Sequence, residues 1–208
     1  MKRTVPKECS KQTALGSAEG CWTRRIEIGA GPNAVAKKLK IHEVVKYPDP
    51  VLAKRGVPVT EFGPELKTLV EEMFESMYEA QGIGLAAPQI SISKRITVID
   101  VSFKKNPADR LALINPEVVE LRGKQVEEEG CLSLPDIREK VQRAAWVKVR
   151  AQDVTGKWFE VEGEELLSRA LQHEIDHLDG VLFIDRISRL KRDLALRKIK
   201  RMQKNGEW

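Results

Sequence analysis

The sequence predicts an α+β fold in which mostly antiparallel β-sheets pack around a central helix. Two observations predict it. Short apolar or alternating segments, separated by Gly and Pro turns, fill the middle of the chain, and one amphipathic helix follows them late. Strands that come first and a helix that comes late favour antiparallel sheets over the strand–helix alternation of parallel ones. A length of 208 residues suits one domain with an ample core.

The positive charge of the chain lies at its two ends. The net charge is +5, but residues 1–40 and 189–208 each contribute +6, so the middle carries −7. We expect a disordered basic extension over residues 1–38, a folded domain over 39–188 and a basic helix or tail over 189–208. Basic ends indicate either solvated tails or an anionic partner.

Composition favours a cytoplasmic, monomeric protein without membrane association. No apolar run approaches the eighteen or so residues of a membrane span, and no secretory signal is seen. Three cysteines at irregular spacing argue against a disulfide framework and favour a reducing compartment. Glu8, Glu19 and Glu27 count against an organelle transit peptide in the basic extension.

Hydrophobic periodicity predicts the elements before the late helix. Pro64 is predicted to begin a helix near the N-terminus of the domain, with Met73 and Met77 on its buried face and its end at Gly82. His42 stands alone and is interpreted as a surface or packing residue. Strands are predicted at 41–45, 96–101, 111–115, 117–121, 146–154 and 158–161.

Residues 82–89 read Gly-Ile-Gly-Leu-Ala-Ala-Pro-Gln, a glycine-rich loop. A dinucleotide fingerprint needs a strand before it and a helix after it, and this order is reversed here, so we reject nucleotide binding. The glycines instead indicate that the backbone approaches another group closely. Gln89 carries an amide able to donate to a developing oxyanion, or is an ordinary loop glutamine.

The late helix carries Gln-His-Glu-Ile-Asp-His at 172–177. Histidines four apart on a helix project from one face, so His173 and His177 can reach a single ion. Glu174 lies beside that face, placed to exchange protons with a water on the ion. Two of the three histidines fall in this His-Glu-x-x-His motif, which favours a metal site over packing.

The third metal ligand has to come from upstream. A metal hydrolase normally uses three protein ligands and leaves one position for water. Phe183 occupies the place of a third downstream histidine, and the one glutamate after Glu174 is Glu207 near the chain end. Cys131, in Glu-Gly-Cys-Leu-Ser at 129–133, is the good candidate. Its neighbours Glu127–Glu129 indicate a solvated acidic turn, or, for Glu129, support for a ligand.

The three motifs at 82–89, 129–133 and 172–177 resemble those of peptide deformylase, in order and spacing. The resemblance covers roughly residues 39–188. It implies Cys131, His173 and His177 as metal ligands and Glu174 as the catalytic acid and base. It also implies oxyanion donation by Gln89 and the Leu132 N–H, with Ile83, Gly84 and Gly130 as substrate-binding residues.

This resemblance implies a hydrolase that removes the N-formyl group from the N-terminal methionine of new polypeptides and releases formate. It implies Fe²⁺ as the metal, with Ni²⁺, Co²⁺ or Zn²⁺ able to substitute. Glu127 and Arg169 depart from the family, because some relatives carry aliphatic residues there, near the methionine pocket. The alternatives are a metallopeptidase of the His-Glu-x-x-His type and a non-catalytic RNA- or ribosome-binding protein.

The last predicted element is a basic helix over Ser188–Lys204. Leucines and other apolar residues recur at roughly helical spacing, and eight cations stand against one acid, Asp193. The helix either folds back on the domain as a solvated element or docks to ribosomal RNA. The excess of cations and the resemblance favour ribosome docking.

Overall fold

Seven strands and three α-helices form the part of the chain that the structure describes, residues 39–208 of a computed structural model. The predicted extension over residues 1–38 lies outside the described residues. The helices are α1 Pro64–Glu79, α2 Glu165–Leu178 and α3 Arg189–Asn205. The strands are β1 Gly84–Ala86, β2 Ile96–Ile99, β3 Leu111–Arg122, β4 Gln125–Cys131, β5 Leu134–Arg143, β6 Trp146–Gln152 and β7 Trp158–Glu164.

These strands form two antiparallel sheets. One has five strands in the order β1-β2-β3-β6-β7, so β1 and β7 are its edges, and the other is the β4–β5 hairpin. Helix α2 follows β7 directly and contacts both sheets. The fold class predicted from the sequence, antiparallel sheets around a late central helix, is therefore confirmed.

Helix α2 buries its apolar face against the five-stranded sheet. Ala170, Leu171 and Ile175 pack in one cluster with residues of three strands, β2, β3 and β6: Ile99, Leu113, Val147, Val149 and Ala151. The helix ends before Gly180, whose φ of +75° strains other residues and whose added Cβ would stand 2.8 Å from Ala53 carbonyl oxygen. This packing fixes the helix, and with it the His-Glu-x-x-His face, against the strands.

The other two helices cover separate parts of the core. On α1, Met73 and Met77 are fully buried against β1 and β2, as the sequence predicts. On α3, Ala195 and Ile199 pack against the β4–β5 hairpin and the turn after α2. Trp208 Nε1 donates to the Tyr47 carbonyl at 2.7 Å, and both residues pack against the apolar cluster that contains Ala195 and Ile199.

No helix within residues 39–208 combines the length and apolarity that crossing a membrane requires.

Several predicted strand boundaries are wrong. Residues 41–45 form no strand, because their N–H groups bond to different elements: His42 N donates to Ser76 Oγ and Val45 N to the Gln89 carbonyl. The segments predicted at 111–115 and 117–121 are one strand, β3, with register shifts. Glu127–Glu129 lie inside β4 rather than in a turn, and the β4–β5 hairpin was not predicted.

Candidate metal centre and active site

Three side chains with metal-binding atoms meet between the hairpin and α2. His173 and His177 lie one turn apart on α2, with ring centroids 4.9 Å apart. Cys131 ends β4, and its Sγ lies 3.2 Å from His177 Nε2. One donor atom from each of the three residues falls within 4.8 Å of the others. Cys131 lies more than forty positions before the two histidines in the sequence, and the fold brings it to them.

This group fits a transition-metal ion. Metal–sulfur bonds of about 2.3 Å and metal–nitrogen bonds of about 2.0–2.1 Å put neighbouring donors of one ion a little over 3 Å apart, close to the Cys131–His177 distance of 3.2 Å. Burial lowers the pKa of His173, but Cys131 and Glu129 outweigh it and raise that pKa to about 10. Burial and the His173 charge hold the pKa of His177 well below its ordinary value.

The ring of His173 is held from two sides. Glu129 Oε2 lies 3.2 Å from His173 Nδ1, which leaves Nε2 for an ion. The Phe183 ring stacks on His173 with a centroid distance of 6.3 Å and an interplanar angle of 26°. The residue in the place of a third downstream histidine thus packs on a ligand candidate.

Glu174 follows His173 on α2 and is buried. Its side chain is 4% exposed, and Thr97 Oγ1 lies 3.5 Å from its Oε2. Burial raises the pKa of Glu174 to about 7. A carboxyl group with that pKa takes up and releases a proton readily near neutral pH.

Gln89 is fixed so that its amide nitrogen faces Cys131 and Ser133. The Ala86 N–H donates to Gln89 Oε1 at 2.9 Å, which sets the orientation of the amide. Gln89 Nε2 then donates to Ser133 Oγ at 3.2 Å and lies 3.6 Å from Cys131 Sγ. The Gln89 side chain is therefore buried and held beside Cys131.

The remaining predicted site residues lie on the turn after Cys131, on β4 and at the start of β1. Leu132 is in the tight turn between β4 and β5, where a Cβ at Gly82 would stand 2.8 Å from its Cδ1. Ile83 and Gly84 lead into β1, and the Asp100 N–H donates to the Ile83 carbonyl at 2.9 Å. Gly130 is exposed on β4, opposite Arg138.

Other residues of the site were not predicted. Ser133 and Thr97 are both fully buried. Ser133 contacts Gln89, and Thr97 contacts Glu174. Ser133 lies within the Glu-Gly-Cys-Leu-Ser motif, so a signal existed for it. Thr97 belongs to an apolar strand, β2, and carries no local signal.

Arg169 lies one turn before His173 on α2, and its guanidinium donates to Gln125 Oε1 at 2.9 Å. Gln125, Glu127 and Glu129 alternate along β4, so they share the strand face on which Glu129 meets His173. The face of the hairpin towards α2 is therefore polar near Arg169.

Comparison with known sequences agrees with this geometry. The family model described as Polypeptide deformylase matches residues 41–193. A peptide deformylase of Acidobacterium capsulatum is 69% identical over 170 residues, covering 82% of this chain and 100% of the relative. One of Thermodesulfovibrio yellowstonii is 48% identical over 162 residues, covering 78% and 98%.

Comparison with solved structures gives the same result. The crystal structure of a peptide deformylase from Legionella pneumophila matches with a TM-score of 0.74 and 47% identity, covering 79% of this chain and 98% of that chain. On the sequence match, the close relatives and the shared structure, this chain belongs to the peptide deformylase family, whose members are metal-dependent hydrolases.

Proposed function

We propose that this protein removes the N-formyl group from the N-terminal methionine of newly made polypeptides and releases formate, and that Cys131, His173, His177 and Glu174 carry the reaction. The observation that supports it most is the meeting of three metal donors within 4.8 Å in a chain of this family. Newly made chains with a formyl group occur in the bacterial cytoplasm, where we place the protein as a monomer.

Cys131, His173 and His177 would hold the ion. One thiolate and two imidazoles suit iron, nickel, cobalt or zinc, and the resemblance favours Fe²⁺. Three protein ligands leave a position for water or substrate, as catalytic sites require. A divalent ion held there supplies a Lewis acid that lowers the pKa of water and polarises a carbonyl oxygen.

Glu174 would act first as base and then as acid. Its pKa of about 7 and its burial suit a group that accepts a proton from the attacking water and returns it to the departing amine. The breaking bond joins the formyl carbon to the methionine nitrogen, and that nitrogen leaves as an amine once it receives the proton.

Gln89 and the Leu132 N–H would stabilise the oxyanion that forms as water attacks. The Ala86 N–H orients the Gln89 amide before substrate binds, so little reorganisation is needed during reaction. One such donor is typically worth roughly 10²–10³ in rate.

The substrate peptide would lie along β1. This strand is an edge of the five-stranded sheet, so one side of its main chain is open to an extended peptide. Ile83, Gly84 and Gly130 line the approach. A formyl group carries hydrogen where other acyl groups carry carbon, and the close fit of Gly84 over Glu174 favours this small group.

Helix α3 would dock to the ribosome, from which the substrate emerges. Lys191, Arg192 and Lys198 are already bonded to Glu139, Asp185 and the Asp136 carbonyl. Within residues 39–208, five other cations of α3 form neither a salt bridge nor a side-chain hydrogen bond: Arg189, Arg197, Lys200, Arg201 and Lys204. Leu190 and Leu194 are 70% and 53% exposed beside them, which suits a partner surface and not only a solvated helix.

One assay separates this function from a metallopeptidase, which would share the His-Glu-x-x-His motif without needing Cys131. The protein is loaded with metal and given a formyl-Met peptide and the same peptide with a free amine. We expect formate from the first and no cleavage of the second. Peptide-bond cleavage without formate would overturn the proposal.

A further inference from the structure

A chain of buried ion pairs leads from His173 to the protein surface. Glu129, which contacts His173, accepts hydrogen bonds from Nε and Nη2 of Arg143, at 2.8 and 2.9 Å. The third donor of Arg143, Nη1, reaches Asp176 Oδ2. Asp176 in turn bonds to Arg186, whose side chain is 48% exposed. The surface guanidinium is thus linked to a ligand candidate through three side chains.

Both oxygens of Asp176 depend on Arg186. Arg186 Nη2 donates to Oδ1, and its Nε donates to Oδ2 at 3.0 Å, where Arg143 Nη1 also bonds. The side chains of Arg143 and Asp176 are 4% and 9% exposed, so water does not replace a lost partner easily. With Arg186 present, the carboxylates of Glu129 and Asp176 are balanced by the guanidiniums of Arg143 and Arg186, so these four side chains carry no net charge.

We propose that Arg186 is a positioning residue of the metal centre: it neutralises Asp176 and so leaves Arg143 free to hold Glu129 against His173. The inference rests on the proposed function, since it takes His173 as a ligand.

Removal of Arg186 leaves two buried carboxylates to share one guanidinium. Unpaired buried charge is costly, so Arg143 is drawn towards Asp176 and holds Glu129 less firmly. Glu129 then orients His173 less well, and a histidine that is poorly oriented binds metal more weakly. Loss of partners behind a metal ligand typically costs roughly 10–100-fold in affinity. Because Arg186 acts through three other side chains, we expect about tenfold, the low end of this range.

The test measures metal release from the full-length protein. Wild type, Arg186→Gln and Arg186→Lys are loaded with Co²⁺, and loss of the cobalt–thiolate absorption is followed after addition of a chelator. We expect release about tenfold faster from Arg186→Gln. Lysine keeps the charge but cannot bond as two donors in a fork, so Arg186→Lys should release cobalt at an intermediate rate.

Arg192→Gln is the matched control. Arg192 is as exposed as Arg186 and pairs with Asp185, but this pair does not lead to His173. The inference is overturned if Arg186→Gln releases cobalt as slowly as wild type, or if Arg192→Gln accelerates release equally. Should Arg186→Gln fail to fold, an Arg186→Lys protein with the wild-type rate would overturn it. A wild type that takes up no cobalt would instead overturn the proposed function itself.

Discussion

Gly84 leaves room for the carboxyl group of Glu174: a Cβ atom at position 84 would stand 2.8 Å from Glu174 Cδ and closer still to Oε1. The backbone of β1 and the side chain from α2 therefore fit against each other without space for one methyl group. The space that the Glu174 carboxyl group occupies is what requires glycine at position 84. Backbone conformation does not require it, since the φ of Gly84 is not in the left-handed region that favours glycine.

Gly84→Ala should reduce turnover while leaving metal content unchanged. The added methyl group pushes the Glu174 carboxyl out of place, and a small misplacement of a catalytic group costs about 10² in rate. Steady-state kinetics and metal analysis of the purified variant check this. Gly63→Ala is the control, because a Cβ there meets nothing within 4 Å. A Gly84→Ala enzyme with full kcat would contradict the fit.

Glu174→Gln should keep the metal and lose nearly all activity. Glutamine has the shape of glutamate but cannot take a proton at neutral pH, and general acid–base catalysis is typically worth 10²–10⁴. Turnover of a formyl-Met peptide is compared with metal content measured on the same sample. Near-normal turnover by a metal-loaded variant would rule out the proposed role of Glu174.

The iron form should lose activity in air faster than the nickel form. Fe²⁺ reacts with oxygen, and the adjacent Cys131 thiolate can be oxidised to sulfenic and then sulfinic acid. Apoprotein is reloaded with each metal, and activity is followed in air and under argon. Oxidation at Cys131 is checked by mass spectrometry. Equal lifetimes in air for the two forms would contradict the proposal.

Tyr78→Phe should destabilise the protein at neutral pH more than in acid. Asp100 is fully buried, and although burial raises its pKa, hydrogen bonds from Ser102 and Tyr78 lower it to about 2. The lowered pKa stabilises the fold above about pH 4, the ordinary range of the group. This stability is lost as the pH falls through about 2. Tyr78 donates to the charged Asp100 at 2.6 Å, so losing its hydroxyl should cost about 1.5–3 kcal/mol at pH 7.

The measurement for this prediction is the free energy of unfolding by denaturant between about pH 2 and 7, for wild type and Tyr78→Phe. The difference between the two proteins should shrink as the pH falls below about 4. The Tyr78 hydroxyl stabilises the ionised form of Asp100, so it contributes less once Asp100 is protonated. A difference that stays constant over the whole range would show that the hydroxyl acts independently of the Asp100 charge.

Replacing Arg197, Arg201 and Lys204 by Gln should weaken ribosome binding and leave turnover of a short formyl-Met peptide unchanged. If each contacts a phosphate, the slope of log affinity against log salt should fall by about 0.7–0.9 per residue. Substitution is a cleaner test than truncation at Arg189, because Ala195 and Ile199 belong to the core. The control, Lys67, Lys105 and Lys124 to Gln, removes equal charge elsewhere. Equal binding by both triple variants would contradict docking through α3.

The sequence predicted the helices well and singled out the three side chains that meet at the candidate metal centre, because most of their signals are local. Pro64, the apolar spacing and Gly180 mark helix ends and buried faces, and His173 and His177 share a face by helical geometry alone. Cys131 was found by excluding downstream ligands. None of these inferences needs to know which strands are neighbours.

The β4–β5 hairpin and the ion-pair chain could not be predicted in this way. The run Glu127–Glu129 reads as solvated, and only the pairing of β4 with β5 and the approach of α2 turn Glu129 inward, where Arg143 meets it. Conversely, residues 41–45 have the pattern of a strand, but the His42 N–H bonds to Ser76 on α1 and the Val45 N–H to the Gln89 carbonyl. Tertiary neighbours decided both cases.

The two edges of the five-stranded sheet guard against aggregation in different ways. Exposed strand edges can pair with other copies of a chain, and short or charged edges prevent this. At one side β1 has three residues, long enough for a brief extended peptide but too short to build a stable ladder between proteins. At the other side β7 presents Glu160, Glu162 and Glu164 to solvent. If the substrate peptide binds along β1 as proposed, the protein keeps that edge open without offering a long strand to other copies of itself.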